Sequence, residues 1–245
     1  MRVIRAKDYL DASRKAANII SAQVILQPDS VLGLATGSSP IGIYQRLISW
    51  YEKGDIDFSQ AKAINLDEYV GLSSIHNQSY AYYMRHNFFD HINIDIRNTF
   101  IPNGLDRNAR RECSRYDKII HDLGGVDLQL LGLGPNGHIG FNEPNEEFVK
   151  GTHCVELSQV TIDANARFFE SKDQVPSKAY TMGIMDIVRA RRVVMIVSGE
   201  KKAQAVLDSF CGPVTPKVPA SILQLHGDFI LVADEAALSL VGDKL

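Results

Sequence analysis

Val31-Leu32-Gly33-Leu34-Ala35, running straight into Thr36-Gly37-Ser38-Ser39-Pro40, is the stretch that decides the fold. Its first half has no polar face, as a strand in a helix-covered parallel sheet requires. Its second half is a tight turn, and Ile43, Tyr44, Leu47, Ile48 and Tyr51 then step at helical spacing. Working outward, Val193–Val197 and Phe229–Ala233 are further apolar runs, and Leu128, Leu130, Leu131 and Leu133 form another. Ala61 to Leu66 is a weaker strand ending at Asp67. Tyr9, Ala12, Ala16, Ile20 and Val24 mark a helix whose stripe belongs to the core. This alternation predicts an α/β fold: one doubly wound, mostly parallel sheet with helices on both faces, Rossmann-like. No linker, charge block or repeat divides the chain, so residues 1–245 form one domain. Asn142 to Pro176 is the least regular part.

Composition excludes several classes. Of 245 residues 45% are hydrophobic and 22% charged, ordinary for a globular protein and unlike disordered or low-complexity chains. The net charge of −3, from 26 basic and 29 acidic residues, gives no footprint for nucleic acid or a membrane surface. Cys113, Cys154 and Cys211 are scattered, with no C-x-x-C, and read as reduced, partly buried thiols. Charges at Arg2, Arg5, Lys7 and Asp8 occupy the place of a signal peptide's apolar region, and no apolar run spans a bilayer. The expected location is cytoplasmic.

Ligands of open α/β sheets bind beyond the carboxyl ends of the strands. After Ala35, Gly37 suits a tight turn, Ser39 an N-cap and Pro40 the first helical position, which together make an anion site. A well-capped helix without ligand explains these residues equally well. After Leu66 stand two carboxylates, Asp67 and Glu68. Extended side chains alternate, so one enters the site while the other caps or pairs. After Leu133 comes Gly134-Pro135-Asn136-Gly137-His138-Ile139-Gly140-Phe141-Asn142-Glu143-Pro144. Gly132, Gly134 and Gly137 match a dinucleotide fingerprint, but Pro144 follows too closely for the required helix. His138 can carry protons near neutral pH, with Asn136 and Glu143 near enough to orient it. The other six histidines are read as solvated. A His–acid unit with Asp67 across a cleft suggests proton transfer at two neighbouring atoms. No second histidine lies at metal-ligand spacing, so no metal is expected.

The segments Thr36–Pro40, Asn65-Leu66-Asp67-Glu68-Tyr69 and Gly137–Pro144 together resemble the glucosamine-6-phosphate deaminases. The match continues through Asn165–Phe169, Gln174-Val175-Pro176 and Gly199–Ala203, across almost the whole chain. The resemblance implies conversion of D-glucosamine 6-phosphate to D-fructose 6-phosphate and ammonia in amino-sugar catabolism, with no metal or organic cofactor. It implies that Asp67 moves a proton from carbon 2 to carbon 1. His138, supported by Asn136 and Glu143, would open the sugar ring. Thr36, Gly37, Ser38, Ser39, Tyr69, Arg167 and Lys202 would bind the substrate, Arg167 and Lys202 at its phosphate. A mobile lid is expected at about 157–177. Many relatives carry Asp where this chain has Asn136, and an amide cannot stabilise an imidazolium by charge.

Three other readings compete. A 6-phosphogluconolactonase would share the fold but not need Asp67 for carbon-acid chemistry. A galactosamine-6-phosphate deaminase would use the same apparatus. A sugar-phosphate-sensing regulator would bring a helix-turn-helix and a basic face, and neither is present. In regulated hexameric relatives a basic stretch after the N-E-P motif holds an effector phosphate. Here His153-Cys154-Val155-Glu156 stands in its place, so a monomer or small homo-oligomer without such activation is expected.

Overall fold

The computed structural model describes residues 1–245 apart from Val160, Thr161, Ala164, Asn165, Arg167, Phe168, Glu170, Lys172, Asp173 and the side chain of Asp243. Its centre is a seven-stranded sheet in which every pairing is parallel. The strands are β1 (Arg2–Ala6), β2 (Val31–Leu34), β3 (Lys62–Asn65), β5 (Thr99–Phe100), β6 (Leu128–Gly132), β9 (Arg192–Val197) and β10 (Phe229–Asp234). Their order is β1-β10-β9-β6-β2-β3-β5. Every residue of β2 and β10 is buried, which is why these runs lack a polar alternation. The expected α/β sheet flanked by helices is therefore present.

Helix α1 (Tyr9–Leu26) buries Ala12, Ala16, Ile20 and Val24 against β9, β10 and the second helix, α2 (Ile41–Glu52). Asp8 caps α1 by accepting from the Asp11 N–H at 2.8 Å. The cap of α2 differs from expectation. Pro40, not Ser39, occupies the cap position, and no side chain caps it. The Gly42 N–H, which Ser39 would have taken, goes to the Tyr9 hydroxyl at 2.8 Å. A neighbouring helix supplies the acceptor, something local sequence cannot encode.

A second, three-stranded antiparallel sheet was not legible in the sequence: β4 (Asp67–Tyr69), β8 (Lys178–Thr181) and β7 (His153–Glu156), in the order β4-β8-β7. Leu66 is the pivot between the sheets. Its N–H donates to Leu34 O in the large sheet, and its carbonyl accepts from the Met182 N–H beside the small one. The run from Ala61 to Asp67 thus serves both sheets. The chain continues through α3 (Tyr80–Asn87), α4 (Ala109–Asp122), α5 (Ile184–Arg189) and α6 (Ala203–Cys211).

His226 is buried, with Nε2 2.8 Å from Ala190 O and Nδ1 accepting from the Asp228 N–H, so it is not solvated. The three cysteines are unbonded and half-buried. No described helix is long and apolar enough to cross a membrane.

Gly33 of β2 faces Gln129 of β6 in register. A Cβ on Gly33 would lie 2.1 Å from Gln129 Oε1. Gly33→Ala is therefore expected to destabilise the fold by about 1–3 kcal/mol through overpacking. Urea denaturation measures this, and adding Gln129→Ala should recover part of the loss.

Candidate active site

The strand order reverses between β2 and β6: β3 and β5 lie to one side, β9 and β10 to the other. Such a switch point opens a crevice at the carboxyl ends of its strands. The turn after β2, the loop after β6 and the turn after β9 all emerge there.

The first and last of these form a hollow of about 410 Å³, lined by Ser38, Ser39, Leu133, Ser198 and Lys202 among others. Gly37 takes φ +84°, the left-handed conformation that turns the chain before the serines. Lys202 follows β9, and its Nζ donates to Leu133 O at 2.7 Å. Buried Asp234 fixes the segment leading to it by accepting from Ser198 Oγ–H and the Gly199 N–H. Serine hydroxyls, a helix start and an ammonium group line this hollow, the kinds of group that suit an anion. Thr36 and Gly37 belong to the same turn. Arg167 lies outside the described residues.

The loop after β6 places His138 in the crevice. Asn136 Nδ2–H donates to Glu143 Oε2 at 2.7 Å, while Asn136 Oδ1 accepts from the His138 N–H at 3.2 Å. Glu143 Oε2 lies 3.6 Å from His138 Nδ1, and Ser158 Oγ donates to Glu143 Oε1. Asn136 thus aims the carboxylate and the backbone, and among the described residues Glu143 is the charged group beside the imidazole. Gly134 is required for a different reason from a dinucleotide fingerprint. A Cβ there would come 2.3 Å from His138 Cδ2, so the imidazole lies directly on the glycine. The surface that a pyrophosphate would approach is already covered.

Asp67 and Glu68 divide as alternation requires. Glu68 turns into the fold and caps α3, accepting from the N–H groups of Tyr69, Tyr80 and Ala81 at 2.8–2.9 Å. Asp67 points the other way, where a Cβ on Gly140 would sit 3.4 Å from its Oδ2. Asp67 therefore borders the loop that carries His138. Both carboxyls are buried. Burial, reinforced by the Glu68 charge, pushes Asp67 up to about 8. Burial also raises Glu68, to about 7, against the pull of its three N–H donors.

Tyr69 is not brought to the hollow. It is buried in a second apolar cluster with Tyr80, Phe141 and Phe169, its ring centroid 4.9 Å from that of Tyr80. Glu68 takes the capping role that alternation left for the second carboxylate, whereas Ser158 as a partner of Glu143 was missed by sequence reasoning, because no local signal marks a contact 15 residues along the chain.

Residues 9–231 match the family model described as glucosamine-6-phosphate isomerases/6-phosphogluconolactonase. The chain belongs to this family. It is 59% identical over 232 residues to a glucosamine-6-phosphate deaminase of Lachnoclostridium phytofermentans, covering 95% of this chain and 98% of the relative. A deaminase of Clostridioides difficile is 50% identical over 244 residues, covering 100% and 98%. Among solved structures, a monomeric glucosamine-6-phosphate deaminase superposes with a TM-score of 0.95 at 44% identity, covering 98% of this chain and 100% of that one. A 6-phosphogluconolactonase from Leishmania guyanensis has a TM-score of 0.73 at 20% identity, covering 98% of each chain, a likeness of fold. The family's phosphosugar chemistry suits an anion hollow beside two proton-carrying groups.

The raised value of Asp67 links activity and stability to pH. A base must be ionised, so kcat/KM is expected to fall as pH drops through about 8. The stability effect has the opposite sign. An unfolded Asp titrates near ~4, so the folded chain holds the extra proton between there and about 8. The group's stabilising contribution is full below the lower value and is lost as pH rises through the upper one. Asp67→Asn, which never ionises, should therefore exceed the wild type in stability at pH above 8, with the gap closing towards pH 5. Thermal unfolding across that range checks it.

Proposed function

We propose that this chain is a glucosamine-6-phosphate deaminase, converting D-glucosamine 6-phosphate and water to D-fructose 6-phosphate and ammonia. The observation that carries the reading is Asp67: a buried carboxylate of raised basicity, bordering the histidine loop, in a chain 50–59% identical to deaminases over nearly its whole length.

The phosphate dianion occupies the hollow at Ser38, Ser39 and Lys202, with Arg167 as a second cation. His138, oriented through Glu143 and Asn136, shuttles the proton that opens the pyranose ring. Asp67 then takes the proton from carbon 2 of the open-chain ammonium aldehyde while the ammonium group gives a proton to oxygen 1, leaving a neutral enolamine. It returns the carbon-bound proton to carbon 1, leaving an iminium at carbon 2 that water hydrolyses to the ketone and ammonium, the protonated form of ammonia. One base serves both carbons and ends unchanged. A carbon acid is a demanding proton donor, and burial makes Asp67 a better acceptor than a solvated carboxylate. The lid expected at about 157–177 lies partly outside the described residues; within it, Ile162 and Phe169 pack on the Tyr69–Phe141 cluster. The chain works in the cytoplasm, within amino-sugar catabolism, as a monomer or small homo-oligomer. It needs neither cofactor nor nucleic acid. Glu156, paired with Lys178 at 3.3 Å on β7, would repel an effector phosphate, so rate curves are hyperbolic.

Ammonia release from glucosamine 6-phosphate tests the assignment directly; none from a chain that still binds the sugar would refute it. Asp67→Asn is expected to fold and to lose at least ~10²-fold in rate, together with deuterium exchange at carbon 2. Wild-type exchange in that variant would remove Asp67 as the base. Lys202→Ala is expected to cost ~1.5–3 kcal/mol of binding, read as a higher KM.

A further inference from the structure

We infer that Tyr9, Tyr44 and Tyr83 are positioning residues, three phenols that clamp the carbonyls of the 35–39 turn so that its N–H groups face the phosphate. The inference rests on the reading of this turn as the phosphate site. Tyr44 donates from α2 to Ala35 O at 2.6 Å. Tyr83 donates from α3 to Gly37 O at 2.6 Å. Tyr9 donates from α1 to Ser38 O at 3.1 Å and Ser39 O at 3.2 Å, while accepting from the Gly42 N–H. Four carbonyls within five residues are thus held by side chains from three different helices.

The geometry of the peptide unit gives this clamp its consequence. In a trans peptide the carbonyl and the following N–H point in opposite directions. Fixing Ala35 O therefore aims the Thr36 N–H, fixing Gly37 O aims that of Ser38, and fixing Ser38 O aims that of Ser39. None of these three N–H groups donates to an acceptor among the described residues. The turn contains Gly37 at positive φ, and a glycine-centred turn is free to flip its peptides. A flipped peptide would present a carbonyl oxygen to a dianion. The phenols hold the orientation before the ligand arrives, so the ordering cost is met by the fold and not by binding. Tyr44 is wholly buried, whereas Tyr9 and Tyr83 are half-buried and better suited to substitution.

The test uses inorganic phosphate as the probe, in competition with glucosamine 6-phosphate. For Tyr83→Phe and Tyr9→Phe, which keep their rings, the phosphate inhibition constant and KM should rise together by about 3- to 10-fold, with kcat within about twofold. Tyr180→Phe is the control. Its phenol also holds a carbonyl, that of Asp106 at 2.5 Å, but away from the turn, so phosphate inhibition should not change. The two test residues stand on separate helices, so a folding defect in one leaves the other informative, with thermal unfolding as the check. Phosphate constants unchanged in Tyr9→Phe and Tyr83→Phe, in an enzyme that phosphate inhibits competitively, would overturn the clamp and leave the site assignment standing. Phosphate that does not compete in the wild type, with an unchanged KM in Lys202→Ala, would overturn both.

Discussion

Leu32 lies opposite Leu128 and Gly33 opposite Gln129, and this pairing of β2 with β6 is the contact on which the rest of the site depends. The two strands are distant in sequence, and strand order reverses between them. Because all seven strands run parallel, the turns that follow β2, β6 and β9 leave the sheet on the same side. The serine turn, the histidine loop and Lys202 meet there because the connections that leave parallel strands all emerge at their carboxyl ends. The close approach is enforced by small residues. Gly33 leaves room for Gln129, and Gly134 for the imidazole of His138.

The small antiparallel sheet does what the large one cannot. A parallel strand that stayed in the large sheet would bury Asp67 among apolar side chains or leave it in solvent. Leu66 instead hands the chain to β4, where Asp67 pairs with Thr181 and its carboxyl borders Gly140. Glu68, on the opposite side of the strand, ties β4 to the start of α3 through the N–H groups of Tyr80 and Ala81. The same helix carries Tyr83, which reaches the turn after β2. The strand of Asp67 and the turn after β2 are therefore coupled through one short helix.

Burial gives these groups their chemistry. Desolvation beside a second carboxylate raises the basicity of Asp67 above that of a solvated aspartate, at a cost in stability. Such a trade is tolerable because a sheet with so complete a core supplies ample stability elsewhere. The imidazole has a milder arrangement, in which one carboxylate at 3.6 Å is held by a neutral amide.

The sequence by itself determined the central sheet, since runs such as Val193–Val197 and Phe229–Ala233 are apolar on both faces and admit few other structures. It also determined the chemical types at the strand ends and, through its motifs, the family. Alternation showed that Asp67 and Glu68 must diverge, and the family resemblance pointed to Asp67 as the one at the site. Tertiary structure supplied the partners of the other, by bringing the first turn of α3 to Glu68. It also decided the antiparallel sheet, whose short strands carry no periodic signal and exist through pairing between segments about 110 residues apart. The burial of Tyr69 and His226, and the phenols behind the anion turn, were likewise settled by contacts that no local stretch encodes.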